Sequence, residues 1–341
     1  MGSQVRGRLG SPHPDSVHAM KAAVYYETGG PEVFRYEDVP DPVCGPGAVL
    51  VDVKAISIEG GDTLHRAGGV LATRPYIVGY QCAGLVREVG AGVTDVAPGQ
   101  RVVAVMMHGS HAEQVAVPAL STWVLPDGLD LEHGACVPIP FGTADDCLFE
   151  FGRLQAGETV LVHAGAGGVG IAAIQLAKRA RAIVLATASR DDKLERLKPL
   201  GLDHGINYRD GDFVEAVREL TRGHGADVIV DSVGGRTLTG SIEAAAYRGR
   251  IAYVGSAGRD ATQPSFDALR PGNKTVSGIF LGAELMLNHA RVHAMIGRHL
   301  ADIARGTLQV VVDRRYPLAE AAAAHAYVES RQAFGRVLLV P

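Results

Sequence analysis

The glycine-rich segment HAGAGGVG, residues 163–170, constrains the fold of this chain more than any other feature of its sequence. It follows the apolar, strand-like run TVLV at 159–162 and leads into the apolar-periodic run GIAAIQLAKRA. In a Gly-x-Gly-x-x-Gly turn, Gly165 permits the tight turn, Gly167 lets the backbone approach a pyrophosphate, and Gly170 lets the helix pack against the strand. The start of the helix then presents N–H groups and a partial positive charge to the anion. We therefore predict a dinucleotide-binding turn formed by Gly165, Ala166, Gly167, Gly168, Val169 and Gly170.

The end of the second predicted strand decides which dinucleotide fits. An NAD site carries an acidic residue there, about 20 residues after the glycine turn, which bonds the ribose 2′-hydroxyl. This chain reads ATASRDDKLERL instead, which places Ser189, Arg190 and Lys193 at that tip. A hydroxyl, a guanidinium and an ammonium suit a 2′-phosphate. Asp191 and Asp192 fall where the first turn of a helix favours acidic residues, so we predict NADPH as the cofactor.

The length and pattern of the apolar runs differ along the chain, which indicates separate domains. From 20 to 140 the apolar runs are short, rich in β-branched residues and bounded by Gly, Pro or Asp, which predicts a compact β-barrel-like domain. From 141 to 281 six strand candidates alternate with helical runs, which predicts a parallel sheet covered on both faces. After 281 a long helix candidate precedes β-like runs and an Ala-rich helix. We predict that 282–341 return to the first domain and that residues 1–19 form a disordered lead.

Charge and cysteine usage limit the partners of the protein. The formal net charge of −4 argues against nucleic acid or an anionic membrane as the main partner. No run reaches the roughly 18 apolar residues that a membrane-spanning helix needs. The 4 cysteines are dispersed and form no Cys-x-x-Cys pair, which suits a reducing compartment. These features predict a cytoplasmic protein that acts on a small molecule.

Three groups of residues are candidate metal ligands on spacing alone. They are His108 with His111, His133 with Cys136, and Glu59 with Asp62 and His65. A catalytic zinc needs a dense cluster of ligands with one open position, and a structural zinc needs four ligands together. The sequence offers neither pattern, so we predict that the protein holds no metal.

These residues resemble the medium-chain dehydrogenase/reductase superfamily, and within it the zinc-free quinone oxidoreductases similar to zeta-crystallin. The resemblance covers nearly the whole chain from Met20. The segments that carry it are GDTLHRAGG, AGLVREVGAGVTDVAPGQRV, ETVLVHAGAGGVGIAAIQLAK, ATASRDDKLERLKPLGLDHGINYRD, DVIVDSVGG and ESRQAFGRVLLVP. Zinc-binding members carry a Cys near Ser57 and Gly-His-Glu where this chain has Gly79–Tyr80–Gln81, which agrees with the prediction of no metal.

The resemblance implies an α/β fold of two domains: a GroES-like β-barrel catalytic domain built from both chain ends, and a Rossmann doubly wound parallel-sheet domain between them. It places the cofactor in the cleft and implies a homodimer joined through an edge strand of the Rossmann sheet, here the run KTVSGIFL. It also implies further cofactor contacts: Lys193, Tyr208 and Arg331 at the 2′-phosphate, and Thr143, Gly255, Ser256 and Phe280 near the nicotinamide.

The catalytic end departs from the family's pattern. Where the family usually has Ser-Val-Asn-Pro-x-Asp, this chain has Ser-Ile-Glu-Gly-Gly-Asp at 57–62, so Asp62 matches and Glu59 replaces the Asn. Leu64 stands where a Tyr is common, and Gln81 replaces an acid. The pair Asp145–Asp146 replaces bulky residues, which together with Glu59 and Asp62 suggests an acidic cleft for a cationic or hydroxyl-rich substrate.

The resemblance and the cofactor end together predict a zinc-free, NADPH-dependent reductase that transfers hydride to a quinone or an α,β-unsaturated carbonyl. The proton that follows could come from water, Glu59 or His65, whereas Asp62 would order the loop. An ion pair between Glu59 and a nearby arginine such as Arg66 is the alternative. Two other functions stay open: a biosynthetic enoyl or double-bond reductase for a specific metabolite, and an NADPH-binding sensor or structural protein without turnover.

Overall fold

The computed structural model describes residues 19–341, so the predicted lead lies outside the described residues except for Ala19, which begins the first strand. The amino-terminal part folds into β1 (Ala19–Tyr25), β2 (Arg35–Pro40), β3 (Ala48–Ser57), α1 (Gly60–Gly68), β4 (Tyr76–Ile77), β5 (Gln81–Val89), β6 (Arg101–Val105), β7 (Gln114–Pro118), β8 (Thr122–Val124), α2 (Leu131–Gly134) and α3 (Pro138–Asp145). The central part contains β9 (Thr159–Val162), α4 (Gly168–Arg179), β10 (Ile183–Ala188), α5 (Asp191–Leu197), β11 (His204–Asn207), α6 (Phe213–Leu220), β12 (Ala226–Asp231), α7 (Arg236–Ala244), β13 (Ala245–Tyr253) and β14 (Thr275–Gly278). The chain closes with α8 (Leu281–Leu287), α9 (His289–Ala304), β15 (Val312–Pro317), α10 (Ala321–Glu329) and β16 (Arg336–Val340).

The central part forms one parallel sheet in the order β11-β10-β9-β12-β13-β14. Every residue of β9 is buried, as expected of a strand covered by helices on both faces. The order runs outward in both directions from β9, so the crevice at the carboxyl ends of β9 and β12 is the switch point at which ligands bind in doubly wound sheets. The predicted Rossmann sheet is confirmed.

The catalytic part is built around β3. This strand pairs antiparallel with β5 and β7, and β16 from the end of the chain pairs with its last residues, Leu338 opposite Ser57. A separate sheet in the order β2-β1-β4 completes this part. Both ends of the chain therefore share one β-rich unit, and the predicted fold class is confirmed.

The helices that follow the Rossmann sheet differ from the sequence prediction. The single long helix expected after Leu281 is broken into α8 and α9 at Asn288, whose backbone is not helical (φ −124°, ψ 38°). The apolar face of α9, with Val292, Ile296 and Leu300, is buried in the same core as α3 and α4. The predicted domain limits stay a prediction, and this packing supports placing the return to the first domain after α9.

Candidate active site

The glycine turn between β9 and α4 has the geometry that the sequence predicts. The N–H of Gly165 donates to the carbonyl of Thr187, 2.9 Å away, which ties the turn to the end of β10. A Cβ on Gly165 would lie 2.9 Å from the Cβ of Ala186, and one on Gly170 would collide with the carbonyl of Ala164. Among the described residues, no side chain caps the start of α4. The first N–H groups of α4 and the bare backbone of the turn are therefore left for an anionic ligand.

Two residues predicted at the 2′-phosphate contact each other. The Lys193 ammonium, only 4% exposed, donates to the carbonyls of Arg331 and Ala333 at 2.8 and 2.7 Å. Burial lowers the pKa of Lys193. Two of its three N–H groups are thus engaged, and one remains for a phosphate oxygen. The Arg331 guanidinium donates to the carbonyl of Gly258 at 3.0 Å, which links the end of the chain to the Rossmann loops.

Ser189 and Tyr208 lie at the carboxyl ends of two neighbouring strands. They follow the adjacent strands β10 and β11, whose last residues Ala188 and Asn207 are in register. Tyr208 is partly exposed at this edge. A ligand at the carboxyl ends of the sheet would therefore meet both side chains.

Arg190, which was predicted to bind the 2′-phosphate, is bonded to a carboxylate of its own protein. Its guanidinium forms two hydrogen bonds of 2.7 Å with the carboxylate of Asp192. This bonding holds the pKa of Asp192 below its usual range. Asp192 is therefore a partner of Arg190 as well as a first-turn acid of α5, and Arg190 would have to exchange that partner to bind a phosphate.

The residues predicted near the nicotinamide lie at the other end of the crevice. Gly255 and Ser256 follow β13, and the Ser256 hydroxyl lies 2.8 Å from that of Tyr253. Phe280 follows β14 and is 59% exposed, whereas Thr143 is buried in α3. The strand ends thus bring Gly255, Ser256 and Phe280 to one edge of the sheet.

Glu59 and Asp62 are brought together at the start of α1. The backbone N–H of Glu59 donates to the Asp62 carboxylate at 2.8 Å, so Asp62 orders the first turn of the helix. The Glu59 carboxylate accepts hydrogen bonds from Arg336 and Gln81. Burial raises the pKa of Glu59 to about 7, while Arg336 acts in the opposite direction. Burial also raises the pKa of Asp62 well above its usual value.

Glu59 forms the ion pair with an arginine that the sequence left open, but its partner is not Arg66. Arg66 pairs with Glu329 at the end of α10, and that carboxylate also accepts from Arg259. Glu59 pairs with Arg336, which sequence reasoning missed. The available signal was a charged residue that opens the otherwise apolar final run RVLLV, because such a residue needs a buried partner.

His65 lies one turn after Asp62 in α1 and is bonded to other groups. Its Nδ1 is 3.0 Å from the Tyr25 hydroxyl, and its Nε2 is 3.1 Å from the Val70 carbonyl. Its ring stacks on that of Tyr76 with 4.7 Å between centroids. Both ring nitrogens are thus engaged by protein groups.

The acids expected to make the cleft acidic are paired with α9. Asp145 is 2.9 Å from Nε2 of His299, and the buried Asp146 accepts from Arg291 at 2.7 Å. Each thus has a partner on the neighbouring helix, and this pairing holds α9 against the end of α3. Arg291 also pairs with Glu284 and Glu150, so the group around it carries more negative than positive charge.

Comparison with known proteins places this geometry in a family. The family described as "Alcohol dehydrogenase GroES-like domain" matches residues 45–127, and that described as "Zinc-binding dehydrogenase" matches residues 168–297. A 2-haloacrylate reductase from a Burkholderia species is 35% identical over 337 residues, covering 94% of this chain and 98% of that protein. Quinone oxidoreductase of Sus scrofa is 31% identical over 326 residues, covering 94% and 98%. Quinone oxidoreductase of Escherichia coli, solved in complex with NADPH, superposes with a TM-score of 0.90 at 29% identity, covering 94% of this chain and all (100%) of that one.

The chain belongs to the medium-chain dehydrogenase/reductase superfamily. Within this superfamily of oxidoreductases it falls in the zinc-free quinone oxidoreductase branch. The resemblance stated from the sequence is confirmed.

The residues of the three candidate metal sites do not come together in this medium-chain oxidoreductase. Within residues 19–341, no three His, Cys, Asp or Glu side chains come together in a way that could hold a metal ion. His133 instead bonds the Asp130 carboxylate at 2.7 Å, and His108 packs on the Tyr76 ring. In the same part of the chain, no helix has both the length and the apolar character needed to cross a membrane.

His111 forms a buried pair with His325 of α10. The two Nε2 atoms are 3.0 Å apart. Burial lowers the pKa of His111 to about 3 and holds that of His325 well below its usual value, where Arg66 also contributes. Both rings are therefore neutral in the folded protein near neutral pH.

This pair predicts a loss of stability in mild acid. Unfolded histidines bind protons below a pH of about 6.5, whereas the folded pair does not, so each contributes a loss of up to about 1.4 kcal/mol per pH unit as the pH falls from there. The free energy of unfolding, measured in urea between pH 7 and pH 5, should fall less steeply with falling pH in the variant His111→Leu/His325→Leu than in the parent. The exposed His204→Gln variant is the control and should keep the parent's slope; equal slopes in all three would contradict the assignment.

Proposed function

We propose that this protein is an NADPH-dependent reductase that transfers hydride to a quinone or an α,β-unsaturated carbonyl. The observation that carries the proposal is the crevice itself, where the glycine turn opens α4 and Lys193, Arg331 and Tyr208 gather at the far strand ends. The bare turn suits a pyrophosphate, and the cationic end suits a 2′-phosphate. NADPH supplies the hydride when bound.

Two relatives support the class of acceptor. One is named as a 2-haloacrylate reductase and the other as a quinone oxidoreductase. Haloacrylates and quinones are both electron-poor, conjugated acceptors. Such acceptors take hydride without a metal to polarise them, because conjugation already spreads the developing charge. A reductase for one particular conjugated metabolite stays the alternative within the same chemistry.

We further propose that the proton reaches the product from water. Of the predicted donors, His65 has both ring nitrogens engaged and Glu59 is bonded to Arg336 and Gln81. Asp62 is buried and holds the start of α1. The protein's own part is then to bind and orient the two reactants and to hold the cleft together.

The activity is tested by following NADPH oxidation with a panel of quinones and enones, each with and without a chelator. We expect oxidation with electron-poor acceptors and rates that the chelator leaves unchanged. Saturated ketones of similar size are the control and should give no oxidation. Tight NADPH binding without oxidation by any acceptor would favour the sensor alternative, and loss of activity with the chelator would contradict a metal-free reductase.

The cofactor preference is tested at Lys193. Replacing Lys193 with Met keeps the buried stem but removes the ammonium, so NADPH should bind roughly 10- to 100-fold more weakly, as expected for a lost charge-assisted hydrogen bond. NADH binding should change much less, because NADH has no 2′-phosphate. Lys198→Met, which removes an exposed ammonium after the same helix, is the matched control. An equal loss for both cofactors would show that Lys193 acts only on the fold.

We also propose a homodimer formed through β14. Among the described strands, β14 pairs only with β13 and so lies at an edge of the sheet, where a second copy can add a strand. Sedimentation should give twice the chain mass of 35.8 kDa. The exposed substitution Thr275→Lys should shift the protein toward a monomer, whereas Glu215→Lys on the exposed face of α6 should not. A monomeric parent protein would overturn this proposal.

A further inference from the structure

Three polar side chains form a closed group beneath the cleft: Arg336 at the start of β16, Glu59 before α1 and Gln81 at the start of β5. They are 7%, 5% and 0% exposed. Together they touch the ends of two strands, the first turn of α1 and, through Ile139, the start of α3. The group therefore sits where the catalytic unit meets the helices of the Rossmann unit.

Charge balance in this group depends on one carboxylate. Arg336 donates to the Ser57 hydroxyl and to the Ile58 carbonyl, and among the described residues Glu59 is the acid that pairs with it. A buried guanidinium without an anion is strongly unfavourable. The pairing with Arg336 favours the anionic form of Glu59 and opposes the burial that raises its pKa, and this role differs from that of a proton donor.

Gln81 is bonded in one orientation. Its Nε2 donates to Glu59, and its Oε1 accepts from the N–H of Ile139 at 3.0 Å. A carboxylate at position 81 could still accept from Ile139, but beside Glu59 it would add a second buried negative charge. Arg336 and Gln81 both donate to the same oxygen, Oε1 of Glu59, so an amide at position 59 would have to turn to offer its oxygen to Arg336 and its nitrogen to a carboxylate at position 81. Exchanging acid and amide therefore keeps the net charge of the group, while its hydrogen bonds are rearranged.

Arg336 also contacts the cofactor turn. A side chain on Gly168, the first residue of α4, would collide with its guanidinium. The preceding residue, Gly335, donates to the carbonyl of Ala166 at 2.8 Å. A displacement of Arg336 would therefore disturb the position of the glycine turn.

We propose that Glu59, Gln81 and Arg336 act as one charge-neutral unit whose carboxylate can occupy either position 59 or position 81, and that Glu59 is a positioning residue that holds Arg336 against the glycine turn. This inference rests on the proposed function, because its readout is NADPH binding and turnover. Glu59 acts through Arg336, so no step of the reaction passes through its proton.

The experiment compares Glu59→Gln, Gln81→Glu and the exchange variant that carries both. Each single change leaves the group with an unbalanced charge, so NADPH binding, titrated by protein fluorescence, should weaken by about tenfold or more and thermal unfolding should fall. The exchange variant should recover to within roughly threefold of the parent, a strongly non-additive result. It should also keep the parent's kcat and the parent's pH profile, since neither residue donates the proton. Glu215→Gln, which removes an exposed charge from α6, should behave as the parent.

Several outcomes would overturn the inference. An exchange variant that binds NADPH normally but is as slow as Glu59→Gln would make Glu59 the proton donor. An exchange variant that fails to fold, or stays as weak as the single variants, would exclude interchangeable positions. Folding of the exchange variant where both single variants fail to fold would support the proposal. If the parent protein neither binds nor oxidises NADPH, the proposed function fails instead, so the two failures are distinguishable.

Discussion

The buried guanidinium of Arg336 is the interaction on which the rest of the structure depends. It opens the last strand of the chain, and that strand pairs with β3 to close the catalytic sheet. The same side chain bonds Ser57 and Glu59 and lies against Gly168. Because a buried cation must be matched by an anion and by hydrogen-bond acceptors, the end of the chain, the start of α1 and the start of α4 can adopt only one relative arrangement.

The parallel sheet supplies the other constraint. All its strands point one way, so every loop that follows a strand opens on the same edge. This is why Ser189, Tyr208 and Gly255, far apart in sequence, are gathered along one crevice. The segment 331–336 crosses the same edge, where Lys193 holds its backbone and Gly335 bonds the glycine turn. The proposed cofactor crevice and the closure of the β-rich sheet thus share the same few residues.

The features of this arrangement that could be predicted from the sequence are those that depend on residues close together in the chain. The glycine turn, the alternation of strands and helices and the first-turn acids of α5 depend on near neighbours, and each is present. The partners of the buried charges could not be predicted, because they lie far along the chain. Glu59 finds Arg336 and not Arg66, and Asp146 finds Arg291. The two departures from the family's pattern, an acid at 59 and an amide at 81, looked unrelated in sequence and prove to be one hydrogen-bonded pair.

These pairings change how the cleft should attract a substrate. Counted from the sequence, its acids suggest a negative surface that would favour a cation. In the folded protein Glu59 pairs with Arg336, Asp146 pairs with Arg291, which also pairs with Glu284 and Glu150, and burial raises the pKa of Asp62. Near α1 the carboxylate of Glu329 is shared by two guanidinium groups, which leaves an excess of positive charge there. Around α1 these residues therefore leave no net negative charge to attract a cation, and we expect the acceptor to be selected there by its shape and its electron deficiency.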